Sequence, residues 1–186
     1  MTPKIYITSD LHFCHNREFL YKPRGFNNVY EMNNAIVERW NKIVQPEDEV
    51  YVLGDIMLNN NDEGLKLLKS LKGKIHIVLG NHDTETRKTL YQDCWNVVEV
   101  ALAAKLKYKG YHFFMTHYPC QTSNFDDNKP LKQRTINLCG HSHIKDPFLD
   151  WKQHPIFHCE MDTNDCYPWL LDDIIELIKA HDIIFG

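Results

Sequence analysis

Three short runs of apolar and β-branched residues, 5–8, 50–53 and 75–79, each stop abruptly on polar side chains: Ser9-Asp10, Gly54-Asp55 and Gly80-Asn81. A run that is apolar at every position, rather than at alternate ones, suits a strand covered on both faces. Residues 31–44, between the first two runs, read as a helix. Met32, Ile36, Trp40 and Ile43 recur at steps of four, four and three and form one buried stripe. Pro46-Glu47-Asp48 breaks that helix before the next strand. A second helix is predicted over 62–71, with Leu65, Leu68 and Leu71 three apart and Gly73 as its stop signal. This alternation of strand and helix implies right-handed crossovers and an at least partly parallel sheet.

The second half follows another pattern. Residues 97–106, 111–116, 136–139 and 156–158 are strand candidates with short connections and no comparable helices between them, which implies a second sheet packed on the first. A final helix is predicted over 170–181, with Ile174, Leu177 and Ile178 on one face. The stretch 118–134, rich in Asn, Asp, Lys and Pro, reads as a long surface loop over the strand ends. At 186 residues, with no repeat, low-complexity tract or composition break, the whole of 1–186 is expected to form one domain around a sizeable core.

The formal net charge of −4 gives no general pull toward nucleic acid or an anionic membrane. No apolar stretch approaches membrane-spanning length, and the N-terminus enters the first strand without a signal-peptide core. Six cysteines without a CxxC pair read as reduced thiols. A cytoplasmic chain with no membrane partner is the expectation.

Five clusters of metal-ligand residues follow the strand candidates in order: Asp10-Leu11-His12, Gly54-Asp55, Gly80-Asn81-His82-Asp83, His117, and Gly140-His141-Ser142-His143. Residues two apart on a strand point the same way, so Asp10 and His12 are expected to reach one metal together. Asp55, on an adjacent strand end, is the candidate bridging carboxylate, because its two oxygens can serve two cations. Asn81 offers a neutral carbonyl oxygen, and His117, His141 and His143 supply the remaining nitrogens. This mixed set suits Mn, Fe or Zn ahead of Mg. Two divalent cations clamp the attacking and leaving oxygens of a displacement and bring bound water toward a pKa of about 7. Together they outweigh two carboxylates, so a phosphate is the natural ligand even on an acidic chain. His82 is the candidate general acid, or a donor to the phosphoryl oxygens. Asp83 either orients His82 or caps the next helix.

Asp-x-His, Gly-Asp, Gly-Asn-His-Asp, His and Gly-His-x-His in this order resemble the five motifs of the calcineurin-like metallophosphoesterase superfamily, over Asp10 to His143. The resemblance implies a four-layer α/β/β/α sandwich of two mixed sheets flanked by helices, with the site at strand ends. It also implies one metal held by Asp10, His12, Asp55 and His143, a second held by Asp55, Asn81, His117 and His141, and His82 as the near-site histidine. More finely, the chain resembles small single-domain bacterial and phage members. These read Asp-x-His-Phe-Gly-His near the start and end with Val-Asp-x-Asn-Asp-x-x-Pro. The counterparts in this chain are Asp10-Leu11-His12-Phe13-Cys14-His15 and the 161–168 stretch, with Cys14 in place of Gly and Arg17 in place of Asn.

The expected activity is therefore hydrolysis of a small phosphodiester or phosphomonoester by in-line attack of a metal-activated hydroxide. His15, Arg24, Asn81 and His82 are candidate substrate-binding residues, and Arg17 and Arg24 could each serve as a bidentate phosphate fork. The plainer alternatives are a turn-capping role for His15 and solvated surface charges for Arg17 and Arg24. Lys129, Lys132 and Arg134 lie beside Asp126 and Asp127 and read as solvated. Asp162 and Asn164 hold the final turn or stand behind the ligands. Cys139 with His141 and His143 lacks the second Cys/His pair that a structural zinc site needs. A nuclease is the rival enzyme, but neither net charge nor a basic-aromatic stripe supports a polyanion track. A scaffold without chemistry is the other alternative, and it would show missing ligands, of which there are none.

Overall fold

Apolar strands that need cover on both faces are given it by helices on one side and a second sheet on the other. The structure, a computed structural model, describes residues 2–122, 129–151 and 154–185. In chain order its elements are β1 (Ile5–Thr8), α1 (Glu18–Tyr21), α2 (Val29–Ile43), β2 (Glu49–Leu53), α3 (Asn61–Lys69), β3 (Lys74–Val78), α4 (Glu85–Gln92) and β4 (Val97–Ala101). Then follow β5 (Ala104–Tyr108), β6 (Tyr111–Met115), β7 (Thr135–Cys139), β8 (Ile156–His158), β9 (Trp169–Leu170) and α5 (Leu171–Phe185). One sheet has the order β4-β3-β2-β1-β9, the other β5-β6-β7-β8. β1 to β4 run parallel, and β9 joins antiparallel to β1. In the second sheet β5 is antiparallel to β6, whereas β6, β7 and β8 are parallel. The architecture is thus two mixed sheets flanked by helices, as expected. Among the described residues no helix is long and apolar enough to cross a membrane.

Helix α2 begins two residues before the expected 31–44. Asn28 caps it by accepting the Glu31 N–H, and the Glu31 carboxylate returns to the Asn27 N–H, each at 3.0 Å. Its buried stripe of Met32, Ile36 and Trp40 packs with Val50, Val52, Ile75 and Ile77 on one face of the first sheet. Trp40 is fully buried and its indole N–H donates to the Lys72 carbonyl at 2.9 Å. Truncating it to Ala would cost about 3–5 kcal/mol. The opposite face of the sheet, including Ile7, Leu53 and Val78, packs against Phe113, Ile136, Leu138 and Phe157 of the second sheet and Leu171, Ile174 and Ile178 of α5.

Two expectations are corrected. The run 97–106 is two strands in different sheets, because the chain leaves β3 after Ala101 and turns through exposed Leu102 into β5. α3 ends at Lys69, where Ser70 Oγ donates to the Leu67 carbonyl. Gly73 (φ +94°) therefore turns the chain into β3 rather than stopping the helix. The helix expected after Asp83 is α4, which connects β3 to β4 within the first sheet. Within the stretch 118–134, residues 123–128, with Asp126 and Asp127, lie outside the described residues.

Candidate metal centre

The ligand candidates leave the C-terminal ends of β1, β2, β3, β6 and β7, but not by strand alternation. Asp10, His12, Asp55, His141 and His143 all have left-handed backbones, with φ of 58°, 50°, 56°, 76° and 50°. A non-glycine residue in that region is uncommon, and such conformations collect at functional sites. Asp10 and His12 therefore converge because the chain coils after Thr8, not because they alternate on β1. Three backbone bonds bind that coil to the Gly54-Asp55 turn: Asp10 N–H to Gly54 O (3.0 Å), His12 N–H to Asp55 O (2.9 Å) and Phe13 N–H to Ile56 O (2.9 Å). Glycine is needed where two turns touch. A Cβ on Gly140 would collide with Ser9 Oγ and Asp10 Oδ2, and one on Gly80 with the Asp55 carboxylate.

The side chains then meet in two groups. Asp10 Oδ2 accepts the His141 N–H at 2.8 Å and lies 2.6 Å from Ser9 Oγ. Its Oδ1 is buried with no hydrogen-bond partner and lies 3.5 Å from His12 Nε2 and 3.6 Å from His143 Nε2. Those two ring nitrogens face each other at 3.1 Å. On the other side, Asn81 Oδ1 lies 2.8 Å from His117 Nε2 and 2.9 Å from His141 Nδ1. Between the groups, Asp55 Oδ2 stands 3.6 Å from both His12 Nε2 and His117 Nε2, while Oδ1 accepts the His82 N–H at 2.9 Å. Among the described residues, two sets of His, Cys, Asp or Glu bring three ligand atoms within 4.8 Å of one another: Asp10, His12, His143 and Asp10, Asp55, His117. An orphaned buried carboxylate oxygen between imidazole nitrogens is what a cation site requires, so the donor set fits divalent metal.

Electrostatics agree with that fit. Burial first, and the positive neighbours His143 and Arg24, hold the His12 imidazole down at about 4, against the pull of Asp10, so its ring stays neutral with a lone pair to offer. Burial pushes the Asp55 carboxyl up to about 6, with the charges of Asp10 and Asp83 adding to it against His117 and the His82 N–H. Removing Asp55 from water without a cation is costly, and a cation would reverse that.

All seven expected ligands come together. His82, 39% exposed, lies beside them, with Nε2 3.9 Å from Asp55 Oδ2. His15 Nδ1 lies 3.2 Å from His12 Nδ1. Both line a cavity of about 160 Å³ with His12, Asp55, His143 and the exposed Phe19, a wall residue that sequence reasoning missed. A larger groove of about 530 Å³, on the second sheet between Lys105, Lys107, His112 and Phe114, contains none of the ligands.

Two expected site residues are placed differently. Asp83 neither orients His82 nor caps α4; Thr84 is the cap. Its carboxylate accepts the Asp55 and Gly80 N–H groups, both at 2.8 Å, and the Tyr91 hydroxyl at 2.7 Å. It staples two ligand turns together from below. Arg24 is no phosphate fork: its guanidinium is buried against Asp162 and leaves no face for substrate. Arg17 is exposed. Cys139 Sγ lies 3.6 Å from His158 Nδ1, apart from His141 and His143. Behind those two histidines, buried Glu160 accepts the Ser142 N–H at 3.1 Å and is held through His158 to Asp150.

Comparison with known proteins gives a consistent picture. The family profile described as the calcineurin-like phosphoesterase superfamily domain matches residues 4–156. An uncharacterised protein of Methanocaldococcus jannaschii is 33% identical over 189 aligned residues, covering 97% of this chain and 94% of its own. The Gene 66 protein of Mycobacterium phage L5 is 26% identical over 160 residues, covering 74% and 76%. A protein of unknown function from Aquifex aeolicus, solved by crystallography, shares the fold with a TM-score of 0.73 and 23% identity, over 95% of this chain and 100% of that one.

Proposed function

The chain belongs to the calcineurin-like phosphoesterase superfamily, and on that premise we propose that it is a single-domain hydrolase of small phosphodiesters or phosphomonoesters with a two-cation centre. The observation that carries this is Asp55 Oδ2, 3.6 Å from a nitrogen of each imidazole group, His12 Nε2 and His117 Nε2. One carboxylate facing both nitrogen sets is the arrangement a shared ligand needs. Asp10, His12, Asp55 and His143 would hold one divalent cation, and Asp55, Asn81, His117 and His141 the other, with Mn, Fe or Zn suiting the donors ahead of Mg. Bound there, such cations neutralise phosphate charge and acidify water.

The chain's own residues supply the rest. His82 holds a proton at the mouth of the cavity and donates it to the leaving-group oxygen. Its backbone N–H, tied to Asp55 Oδ1, fixes where the ring stands. His15, packed between His12 and Phe19, donates a second hydrogen bond to a phosphoryl oxygen. Phe19 and Leu20 form an apolar wall that keeps water from the leaving-group side. The cavity of about 160 Å³ has room for one phosphoryl group.

Metal-stripped protein, given back Mn²⁺, Fe²⁺, Zn²⁺, Mg²⁺ or nothing, is assayed on matched aryl phosphomonoesters and phosphodiesters. Hydrolysis should require metal and vanish in Asp55→Asn. His82→Ala should bind the same number of ions and turn over about 10²–10⁴-fold more slowly. An absence of hydrolysis with every metal, although ions bind, would overturn the proposal and favour a scaffold. Faster, strongly salt-dependent cleavage of nucleic acid would favour a nuclease.

A further inference from the structure

Two ligands of one group are held from behind by a buried ion pair that is not itself a ligand. The side chains of Arg24 and Asp162 are 1% and 6% exposed. Arg24 Nε donates to Asp162 Oδ1 at 3.0 Å and Nη2 to Oδ2 at 2.7 Å, a two-pronged grip. The same Nη2 donates to the Asp10 backbone carbonyl at 2.9 Å, and Nη1 lies 3.5 Å from that of Leu11. Asp162 Oδ2 faces His143 Nδ1 at 3.2 Å. Residues 138 apart in the chain thus join the turn after β1 to the loop after β7.

We propose that the Arg24–Asp162 pair is a positioning device that sets cation affinity at the Asp10/His12/His143 site and leaves the Asn81/His117/His141 site alone. This rests on the two-cation proposal above. A carboxylate kept ionised by a guanidinium can only accept hydrogen bonds, so His143 carries its proton on Nδ1. That leaves a lone pair on Nε2, the nitrogen that faces His12 Nε2 and Asp10 Oδ1. Without Asp162 the half-exposed ring is free to take the other tautomer, which aims a proton at the ligand cluster. Arg24 also fixes the Asp10 carbonyl, at a residue whose left-handed backbone (φ 58°) needs an outside restraint. The second group shares one link with the first, the His141 N–H on Asp10 Oδ2, but its imidazole tautomer is set elsewhere. His117 Nδ1 lies 2.8 Å from the Leu53 carbonyl, which sets its tautomer from the backbone, and neither Arg24 nor Asp162 touches it. Burying an ion pair is a poor way to stabilise a fold, since apolar residues of similar volume do as well. Orienting ligands gives this pair a purpose that apolar residues could not serve.

The test uses the full chain, stripped of metal and titrated with Mn²⁺ alone. Calorimetry and electron paramagnetic resonance count the ions, and two-bond ¹H–¹⁵N spectra of the metal-free protein read the His143 tautomer. The main variant is Arg24→Met with Asp162→Leu, which removes both charges together and leaves none uncompensated. Asp162→Asn and Arg24→Lys accompany it, Arg24→Lys keeping the charge without the fork. Wild type should take up two Mn²⁺ and show His143 protonated on Nδ1. The double variant should weaken one site by about 10–100-fold and leave the other within about 3-fold, with the Nδ1–H signature lost. Arg24→Lys should fall between. Equal weakening of both sites, no weakening in a folded variant, or a double variant that no longer folds would each overturn the proposal. Fewer than two Mn²⁺ on wild type would overturn the two-cation proposal itself, and the claim of selectivity with it.

Discussion

Replacing Asp55 by Asn should stabilise the metal-free protein while destroying its capacity for metal. The Asp55 side chain is 2% exposed and its carboxyl is raised from an ordinary 3.8 to about 6. Because the folded value lies above the unfolded one, the folded state binds more protons between about pH 4 and 6, and stability falls as pH rises through that window. At about 1.36 kcal/mol for each pH unit of difference, ionised Asp55 costs the apo fold up to about 3 kcal/mol at neutral pH. Asn removes that cost with little loss. Its carbonyl oxygen still accepts the His82 N–H, and its amide donates toward His12 and His117, which the carboxylate cannot do. The expected gain is about 1–3 kcal/mol at pH 7.5, or about 2–4 °C in Tm for each kcal/mol in a chain of this size. It should shrink toward zero near pH 4, where Asp55 is protonated in the fold. With Mn²⁺ the order inverts, since a ligand at 100 times its Kd adds about 2.7 kcal/mol per site to wild type alone. Urea unfolding of both proteins at pH 4.5 and 7.5, with chelator and with Mn²⁺, measures all four quantities. An apo Asp55→Asn protein less stable than wild type at pH 7.5, or a gain independent of pH, would refute the electrostatic reasoning.

Asp83→Ala should lose at least about 3 kcal/mol, because it strips the acceptor from the Asp55 and Gly80 N–H groups and the Tyr91 hydroxyl, at about 1–3 kcal/mol for each buried group left unpaired. A variant with unchanged Tm and only slower turnover would contradict the stapling role. Phe19→Ala should leave Tm unchanged, since that ring is 71% exposed, and raise KM about 2- to 12-fold for aryl phosphoesters but not for methyl ones, an aromatic contact being worth about 0.5–1.5 kcal/mol. Equal effects on both substrates would remove Phe19 from the leaving-group side. Gly140→Ala, whose Cβ meets Ser9 Oγ and Asp10 Oδ2, should weaken Mn²⁺ binding in a calorimetric titration while circular dichroism stays native.

Much of this was legible in the chain before any coordinates. Met32, Ile36 and Trp40 are a buried stripe because helical period is a local property, and it fixed α2 to within two residues. The continuous apolar runs before Asp10, Asp55 and Asn81 announced strands with two covered faces. Ligand types in a set order, at the ends of those runs, marked a candidate metal centre. Each of these signals is carried by residues a few positions apart.

What the sequence could not carry was any choice made between distant segments. Nothing local to 97–106 says that the chain changes sheets after Ala101, since both halves are equally strand-like and only their partners, β3 and β6, differ. The left-handed backbones at Asp10, His12, Asp55, His141 and His143 are uncommon for any residue but glycine, although Asp and His tolerate them better than most. Packed turns hold them in place, and local propensity would not. Asp83 and Arg24 looked like catalytic or phosphate-binding groups because a carboxylate or guanidinium beside a motif is chemically able to be either. Their roles were decided by partners 28 and 138 residues away, which reach them first and satisfy them. A side chain's chemistry is written in its own residue, but which of its possible bonds it makes depends on what the fold brings within about 3 Å.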